Sequence, residues 1–438
     1  MICVGPLTPA QKARSIKGIY YFNMANGFSY MCLGETIILL LAMEIGANDI
    51  VVTILGSMLN LGFTLLPLGR YFTARWGAAK TQSVCWVLRN IAAVCCASSA
   101  LWYYLGIPYL PLITLVLSAY AFYGLRAAGV VMTVPLLGEL TSEQDRGTVI
   151  GKAGSYFYIF CFAALLLLII PLLTFKPHLW TLTGLIVFGS LLGVFASRFM
   201  LMVDETEVLR DSAKKPIWAE MRIALKNKPF MKLVLVNFTN NVFLILMLPI
   251  SVAIIKRVFY PMSHSAALWF ALCQFAASAV FSNFAGKLSR KYGPRQVMLV
   301  FYIALVLLSV LWINMPTKFN TILLIIAFIT NGACNTALPN CTQHYFLHVV
   351  PKENSVAASI LQAVLTGAAG GLAGMALGWC MIKYSNSQLG LYTLDSYKLY
   401  FKMYLLFSLP GLYFIYNMKP LPEEKRRIFF KIPRIFGH

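Results

Sequence analysis

Twelve apolar runs, divided into two groups of six by one charged segment, constrain this chain more than any other feature of its sequence. The charged segment extends from Val203 to Lys232, and each apolar run is long enough to cross a bilayer. Backbone groups that face lipid must be hydrogen-bonded within their own segment, so each run is predicted to be an α-helix. The sequence therefore predicts an all-α integral membrane protein of about 12 transmembrane helices in two pseudo-symmetric six-helix halves.

The apolar runs and the segments between them divide the chain into four regions. The predicted spans cover residues 18–44, 49–72, 80–105, 109–137, 148–173, 178–202, 231–257, 264–288, 293–315, 319–346, 354–382 and 399–417. The four regions are a six-helix bundle over 1–202, a cytoplasmic connector over 203–230, a second bundle over 231–418 and a basic cytoplasmic tail over 419–438. Apolar residues recur at helical spacing from Pro216 to Leu225, which predicts an amphipathic helix at the membrane surface.

The net charge of +21 would suit a nucleic-acid partner, but the distribution of the basic residues favours lipid. With the N-terminus inside, about 27 of the 36 Lys and Arg residues fall on the cytoplasmic side and about seven fall outside. Such an excess is typical of the cytoplasmic loops of membrane proteins, where it meets anionic lipid. We therefore expect a multi-pass plasma-membrane protein with both termini in the cytoplasm and no nucleic-acid partner.

Glycosylation sequons bear on the source membrane. Asn-x-Ser/Thr occurs only at Asn237 and Asn340, and both lie inside predicted spans. A glycosylation site needs an exposed loop on the outer side. The sequence therefore favours a bacterial inner membrane.

Short sequences recur between the two halves at nearly constant separation. Asn23 in span 1 matches Asn237 in span 7, 214 residues further along the chain. Gly77 ends the loop after span 2, and Gly293 ends the loop after span 8, 216 residues further along. These separations indicate an internal duplication. Parallel six-span halves are typical of a large class of secondary transporters, whose substrate site lies between the halves.

The loops after spans 2 and 8 resemble those of the major facilitator superfamily, and the resemblance extends over essentially the whole chain. The family loop reads Gly-x-x-x-Asp-Arg/Lys-x-Gly. The chain has Gly286 and Gly293 in place after span 8, with Arg290 where the family has Asp. After span 2 it has Arg75 and Gly77 in place, with alanine at the Asp position.

The loop after span 4 adds a second resemblance. Glu139 is followed by Arg146 and Gly147 at the spacing of the sugar-porter signature, looser versions of which occur across the superfamily. In such loops, an ion pair can hold two helix ends together in one conformation and release them in another. The resemblance implies a cytoplasmic gate that contains Arg75, Gly77, Glu139, Arg146, Arg290 and Gly293. Solvated loop charges of little energetic consequence are the alternative.

Glu35 is the only one of the 15 acidic residues that lies well inside a predicted span. A charged side chain at this depth is costly, so an acid retained there often carries protons. We expect Glu35 to couple transport to protons. A neutral or paired glutamate that only packs against its neighbours is the alternative.

Polar side chains inside the bilayer mark the expected substrate site. In the family that the chain resembles, spans 1, 4, 7 and 10 line the central cavity. The predicted substrate-binding residues lie on these spans and are Asn23, Asn26, Arg126, Asn237, Asn240, Asn241, Asn331 and Asn335. Amides donate and accept hydrogen bonds, which suits hydroxylated solutes, although bonding between helices would also explain them.

The two arginines inside predicted spans allow several roles. Arg126, near the middle of span 4, would bind an organic anion or pair with Glu35. Arg89, in span 3, is expected to extend to the membrane surface or to form a structural pair. The sequence alone leaves these roles open.

Together these features predict a secondary active transporter that works by alternating access. A small, sugar-like polar solute is the first expectation for its substrate, and protons, or else sodium, are the expected coupling ion. Organic-anion transport through Arg126 and multidrug export are alternatives within the class. A membrane sensor or scaffold that does not transport is the alternative outside it.

Enzymatic chemistry has no support in the sequence. Neither His-Glu-x-x-His, a nucleotide-binding loop nor Gly-x-Ser-x-Gly occurs. His344 and His348 are four residues apart near the end of span 10 and would form half of a metal site, but no acid or cysteine set accompanies them. We expect no enzyme, no cofactor, no metal site and a monomeric chain.

Overall fold

The computed structural model describes residues 2–47, 49–130, 132–174, 178–259, 264–389 and 393–421. The predicted fold of two six-helix halves is confirmed, and nine helices in the described ranges are long and apolar enough to cross a membrane. The first half comprises span 1 (Pro9–Leu33 and Glu35–Glu44), span 2 (Asp49–Leu61, Gly62–Leu65 and Leu66–Trp76), span 3 (Ala78–Tyr104), span 4 (Leu110–Val130 and Thr133–Leu140), span 5 (Arg146–Thr174) and span 6 (Leu179–Met200). The second half comprises span 7 (Lys228–Ile254 and Ile255–Phe259), span 8 (His264–Tyr292), span 9 (Pro294–Ile313), span 10 (Thr321–Val349), span 11 (Ser355–Gln362, Ala363–Ala369 and Gly370–Leu389) and span 12 (Leu394–Tyr416).

Span 1 differs from its prediction at its start and in its middle. The helix begins at Pro9 rather than near residue 18, because Thr8 and Gln11 form a reciprocal capping box at its first turn. It is interrupted at Gly34, whose backbone is extended, and helix resumes at Glu35. Hydropathy reports only the apolar length of a span, so neither the polar first turns nor this break could be seen in it.

The connector contains more structure than one amphipathic helix. Its first residues form the strand Glu205–Thr206, which pairs in parallel with the N-terminal strand Ile2–Cys3. Two helices follow, Glu207–Lys214 and Ile217–Lys226. The second has Glu220 and Ala224 against the protein, whereas Trp218 is 77% exposed. The side of the molecule that carries the N-terminal strand and the connector is called the connector face below.

The two halves meet along spans 5 and 8 and also along spans 2 and 11. Spans 5 and 8 approach so closely that a Cβ atom on Gly286 would lie 2.3 Å from the carbonyl oxygen of Gly147. Ser282 of span 8 donates a hydrogen bond of 2.9 Å to the carbonyl of Gly151 on span 5. Small residues allow such backbone contact between membrane helices. The contacts near Gly147 and Gly286 hold the halves together close to the connector face.

Candidate functional site

Three adjoining cavities lie between the two halves. Their volumes are about 260, 230 and 230 Å³, and Gln343 of span 10 lines all three. Together they are called the central cavity. Its charged and amide-bearing lining residues are Asn23, Asn26, Gln82, Arg89, Arg126, Asn237, Asn240, Asn241, Asn335, Asn340, Gln343 and Gln362. Seven of the eight substrate-binding residues expected from the sequence are in this set, and Asn331 is the exception.

Asn331 lies between helices of the second half instead of on the cavity wall. It is 3% exposed, and its amide donates to Oε1 of Gln274 on span 8 at 3.3 Å. Its oxygen accepts a hydrogen bond from Asn335 at 3.0 Å. Periodicity placed both residues on one helix face, but that face is shared between the cavity and span 8. Asn331 therefore positions Asn335, which does line the cavity.

Arg89 does not extend to the membrane surface, which was one of the two roles expected for it, the other being a structural pair. Its side chain is 1% exposed, and its guanidinium lies 4.9 Å from the ring centre of Trp86 and 4.6 Å from that of Phe122. Its Nη1 also approaches Oδ1 of Asn26 at 3.5 Å, an atom that accepts a hydrogen bond from Trp86. Aromatic faces stabilise a cation inside a protein. They hold Arg89 as a fixed positive charge beside the cavity.

Arg126 is the more accessible of the two arginines. It is half-buried, lines the same cavity, and its guanidinium lies 5.6 Å from the ring centre of Tyr30. Arg89 and Arg126 are close enough for their charges to repel each other. Among the described residues that line the central cavity there is no aspartate or glutamate. The first-half wall of the cavity is therefore strongly positive.

Glu35 was expected to couple protons and to be a possible partner of Arg126. The backbone places it at the first residue of the helix Glu35–Glu44. Its side chain lies outside the part of the chain that the structure describes, so its pairing with Arg126 stays a prediction.

The opposite wall of the cavity, on spans 7, 10 and 11, is uncharged and rich in amides. Asn241 donates a 2.9 Å hydrogen bond to the carbonyl of Thr366, which holds it against span 11. Asn237 accepts a 3.1 Å hydrogen bond from Thr342, and its Nδ2 has no partner within the described chain. The same is true of Oδ1 of Asn240. Oγ of Ser359 on span 11, which lines the same wall, is likewise buried without a partner in the described chain. This wall therefore has amide and hydroxyl groups whose hydrogen-bonding capacity the protein itself does not fully use.

The predicted set omitted five charged or amide-bearing residues of the cavity lining, which are Gln82, Arg89, Asn340, Gln343 and Gln362. The clearest of them is Gln343. It lies eight residues after Asn335 and three after Asn340, so it shares their face of span 10. That spacing was a usable signal. Arg89 also lines the cavity, and no feature of the sequence separates a cation between aromatic rings from one that reaches the membrane surface.

The predicted gate residues Glu139 and Arg146 have partners that the sequence did not reveal. The Glu139 carboxylate accepts hydrogen bonds from the backbone and the hydroxyl of Thr206 in the connector, at 2.9 and 2.6 Å. Arg146 donates a 3.0 Å hydrogen bond to the carbonyl of Leu347, at the end of span 10. Glu139 thus ties span 4 to the connector, and Arg146 ties the first half to the second.

Arg290 also connects the halves. It lies 3.5 Å from the Asp145 carboxylate across the connector face, although both side chains are about half exposed. An exposed ion pair contributes about 0–1 kcal/mol, so this one marks a contact more than it stabilises one. Arg75 donates instead to Tyr71 of its own helix, at 3.0 Å.

Gly77 and Gly293 occupy equivalent positions in the two halves. Each has φ of 87°, a left-handed conformation that favours glycine, and each immediately precedes a span. The matching backbone agrees with the internal duplication that the sequence indicated.

Glu205 caps span 3 beside Gly77. Its carboxylate accepts hydrogen bonds from the backbone N–H groups of Ala78 and Ala79, at 2.7 and 3.2 Å. A Cβ atom on Gly77 would lie 2.3 Å from this carboxylate. Burial raises the pKa of Glu205 to about 7, and the nearby Glu139 acts in the same direction, while the two N–H groups partly offset the rise. Glu205 therefore titrates near neutral pH.

We expect the unfolding temperature of the purified protein to fall as pH rises from about 5 to 8. A carboxyl whose folded-state pKa is raised binds its proton more tightly in the folded state, so the stability it provides is lost as pH rises through about 7. Glu205→Gln should flatten this dependence, because its amide does not ionise. Glu207→Gln is the matched control, since Glu207 is a neighbouring, more exposed acid paired with Arg210. Equal slopes in wild type and Glu205→Gln would contradict the assignment.

Comparison with known proteins agrees with this architecture. The sequence profile of the Major Facilitator Superfamily matches residues 19–416. A proton:xylose symporter, XylE, bound to 6-bromo-6-deoxy-D-glucose superposes with a TM-score of 0.70 at 12% identity, over 92% of this chain and 95% of its own. A bacterial homologue of the iron transporter ferroportin, in its outward-facing state, superposes with a TM-score of 0.64 at 10% identity, over 94% of this chain and 99% of its own. The human organic anion transporter MFSD10 superposes with a TM-score of 0.64 at 13% identity, over 93% of this chain and 100% of its own.

Two spanning bundles around a polar cavity are the construction of a membrane transporter. The chain belongs to the Major Facilitator Superfamily. The family and its fold are those of transporters and not of enzymes. No curated protein matches the sequence closely enough to be counted as a relative. Because these three structures are only 10–13% identical to the chain, they support the fold alone.

Proposed function

We propose that the protein is a secondary active transporter of small hydroxylated organic acids, which it moves by alternating access. The observation that carries this proposal is the pair of arginines, Arg89 and Arg126, on one wall of a cavity whose described lining contains no carboxylate. Two like charges close together inside a membrane protein are unfavourable unless a counter-ion joins them. A substrate carboxylate would supply that counter-ion.

The two arginines would have different roles in binding the substrate. Arg89 is enclosed by Trp86, Phe122 and Asn26, so it contributes charge without being able to follow a moving ligand. Arg126 is half-buried and lies over the ring of Tyr30, and its planar guanidinium is suited to bind a carboxylate through two parallel hydrogen bonds. Arg126 is the proposed direct contact, and Arg89 is a positioning residue.

The amide wall supports a hydroxylated body for the substrate. Asn237, Asn240 and Ser359 line this wall and have polar atoms that the protein does not satisfy, and hydroxyl groups can both donate to and accept from such residues. This part of the proposal keeps the sugar-like solute expected from the sequence and adds an acid group to it. A multidrug exporter fits less well, because a polar wall of this kind penalises apolar ligands.

The similar structures include one transporter named for a sugar and one named for organic anions. One is described as a proton:xylose symporter and another as an organic anion transporter. Neither name decides between a neutral and an acidic solute for this chain, and the cavity charge favours the acid.

The surroundings of the site complete the proposal. We place the connector face in the cytoplasm, since the basic residues gather there, which puts both termini inside and makes Glu139, Arg146 and Arg290 parts of a cytoplasmic gate. Protons are the proposed coupling ion, with sodium as the alternative. A bacterial inner membrane and a monomeric chain remain our expectations, and a sensor or scaffold without transport is the competing function.

A matched pair of ligands tests the proposal. The unfolding temperature of the purified chain would be measured against a hexose and the corresponding uronic acid, which differ only at one carbon. The acid should stabilise the protein in a saturable manner, because ligands that bind only the folded state raise its stability. Stabilisation by the neutral sugar alone would restore the first expectation. Counterflow of the stabilising ligand in proteoliposomes would then separate a transporter from a sensor.

A further inference from the structure

Two histidines lie one helical turn apart at the connector-face end of span 10. The Nε2 atoms of His344 and His348 are 3.3 Å apart. In a tetrahedral zinc site with metal–nitrogen bonds of about 2.0–2.1 Å, two ligand atoms are separated by about 3.3–3.4 Å. The two nitrogens therefore stand at the separation that one bound metal ion requires.

A third residue fixes the orientation of one ring. Oγ of Ser289 on span 8 lies 2.6 Å from Nδ1 of His344, and both residues are fully buried. A metal-binding histidine almost always donates its other ring N–H to an oxygen, which selects the tautomer. When His344 donates from Nδ1 to Ser289, its Nε2 carries no hydrogen, so the lone pair of that nitrogen is available to a metal ion.

We propose that His344 and His348 chelate a divalent transition-metal ion of the zinc class, with Ser289 as the positioning residue. Two protein ligands leave two tetrahedral positions for water, and His348 is the partly exposed member of the pair. No group of three or more metal-binding side chains occurs among the described residues. The site therefore suits reversible binding rather than a permanent structural metal.

Two groups from the first half lie close enough to His344 to affect its affinity for a metal ion. The Arg146 charge acts on His344, and it opposes a cation there. The backbone carbonyl of Glu143 also contacts the His344 ring. Without a metal ion, the 3.3 Å between the two Nε2 atoms is the length of a hydrogen bond from one neutral imidazole to the other, which is the alternative to chelation.

Zinc binding by the purified full-length chain, after removal of any affinity tag, tests the proposal. Isothermal titration with zinc chloride should show one saturable site per chain. His348→Ala should abolish that site, and Ser289→Ala should weaken it about 10- to 100-fold, as expected for loss of an orienting hydrogen bond. His178→Ala is the matched control, because His178 is an exposed histidine at the start of span 6. The unfolding temperature without zinc shows whether each variant is folded.

Four results would overturn the site, three of which concern the wild type and the variants of the site itself. These three are the absence of saturable binding to the wild type, equal binding to wild type and folded His348→Ala, and an affinity that Ser289→Ala leaves unchanged. Loss of binding in His178→Ala to the same extent would also overturn it, because the zinc would then be elsewhere. Since binding is measured without transport, these outcomes are independent of the proposed substrate.

Discussion

Arg126→Gln should lower uptake of the organic acid about 10- to 150-fold at substrate concentrations well below those that saturate the wild type. The substitution removes the positive charge and the two-pronged donor while keeping a polar side chain in the cavity. Loss of a hydrogen bond to a charged group costs about 1.5–3 kcal/mol, which corresponds to a 10- to 150-fold loss of affinity. Radiolabelled uptake and ligand-induced stabilisation would both report the change.

Arg126→Lys and Arg198→Gln provide the comparison. Lysine keeps the charge but loses the planar fork, so we expect partial recovery of binding. Arg198 is an exposed residue in the last turn of span 6, so its replacement should leave uptake unchanged. If Arg126→Gln transported the acid normally, the anion proposal would be wrong, and an effect of the same size on a neutral sugar would indicate a general defect of the cavity.

Arg89 should respond differently from Arg126. Removing its guanidinium leaves a space between Trp86 and Phe122 and takes away one hydrogen-bond donor to Asn26. The loss of packing should lower the yield of folded protein as well as transport. The contrast between a folded Arg126 variant with lowered uptake and a poorly folded Arg89 variant would support their separate roles.

The spans were predictable because the bilayer imposes a single rule on all of them. Each helix must be apolar over the thickness of the membrane, so hydropathy locates the apolar part of each span, although it misses polar turns such as those that begin span 1 at Pro9. Seven of the eight predicted substrate-binding residues line the cavity, and they followed from the same constraint, since a polar side chain inside a span needs a polar neighbour. Asn331 shows the limit, because periodicity identifies a helix face and does not identify what that face contacts.

The gate could not be worked out from local sequence. The partner of Glu139 is Thr206, 67 residues away, and the partner of Arg146 is the carbonyl of Leu347, 201 residues away. One contact depends on a two-residue strand pair, and the other on how the two halves pack. A hydrogen bond to a backbone group leaves no recognisable pattern of side chains in the sequence. The loop motif therefore suggested an ion pair between Glu139 and Arg146, whereas the structure joins Glu139 to Thr206 and Arg146 to Leu347.

Glu35→Gln should abolish pH-driven accumulation of the substrate and leave exchange of substrate across the membrane largely intact. Exchange returns the carrier with substrate bound and needs no net release of a proton, whereas accumulation does. A glutamine cannot release a proton, so the two activities separate. Proteoliposomes with an imposed pH gradient measure accumulation, and the same vesicles without a gradient, loaded with unlabelled substrate, measure exchange. Glu44→Gln, at the exposed end of the same span, is the matched control.

The position of Glu35 in the backbone gives this prediction its physical basis. Glu35 is the first residue of a helix, where the helix dipole favours an ionised carboxylate, and it lies within a membrane span, where a neutral acid is favoured. Such opposing influences suit a group that must both bind and release a proton. An anionic substrate strengthens the case, since moving one negative charge against an inside-negative potential costs about 2.3 kcal/mol per 100 mV, and one accompanying proton removes that cost. Undiminished accumulation by Glu35→Gln, or wild-type uptake that follows sodium and ignores pH, would exclude this coupling.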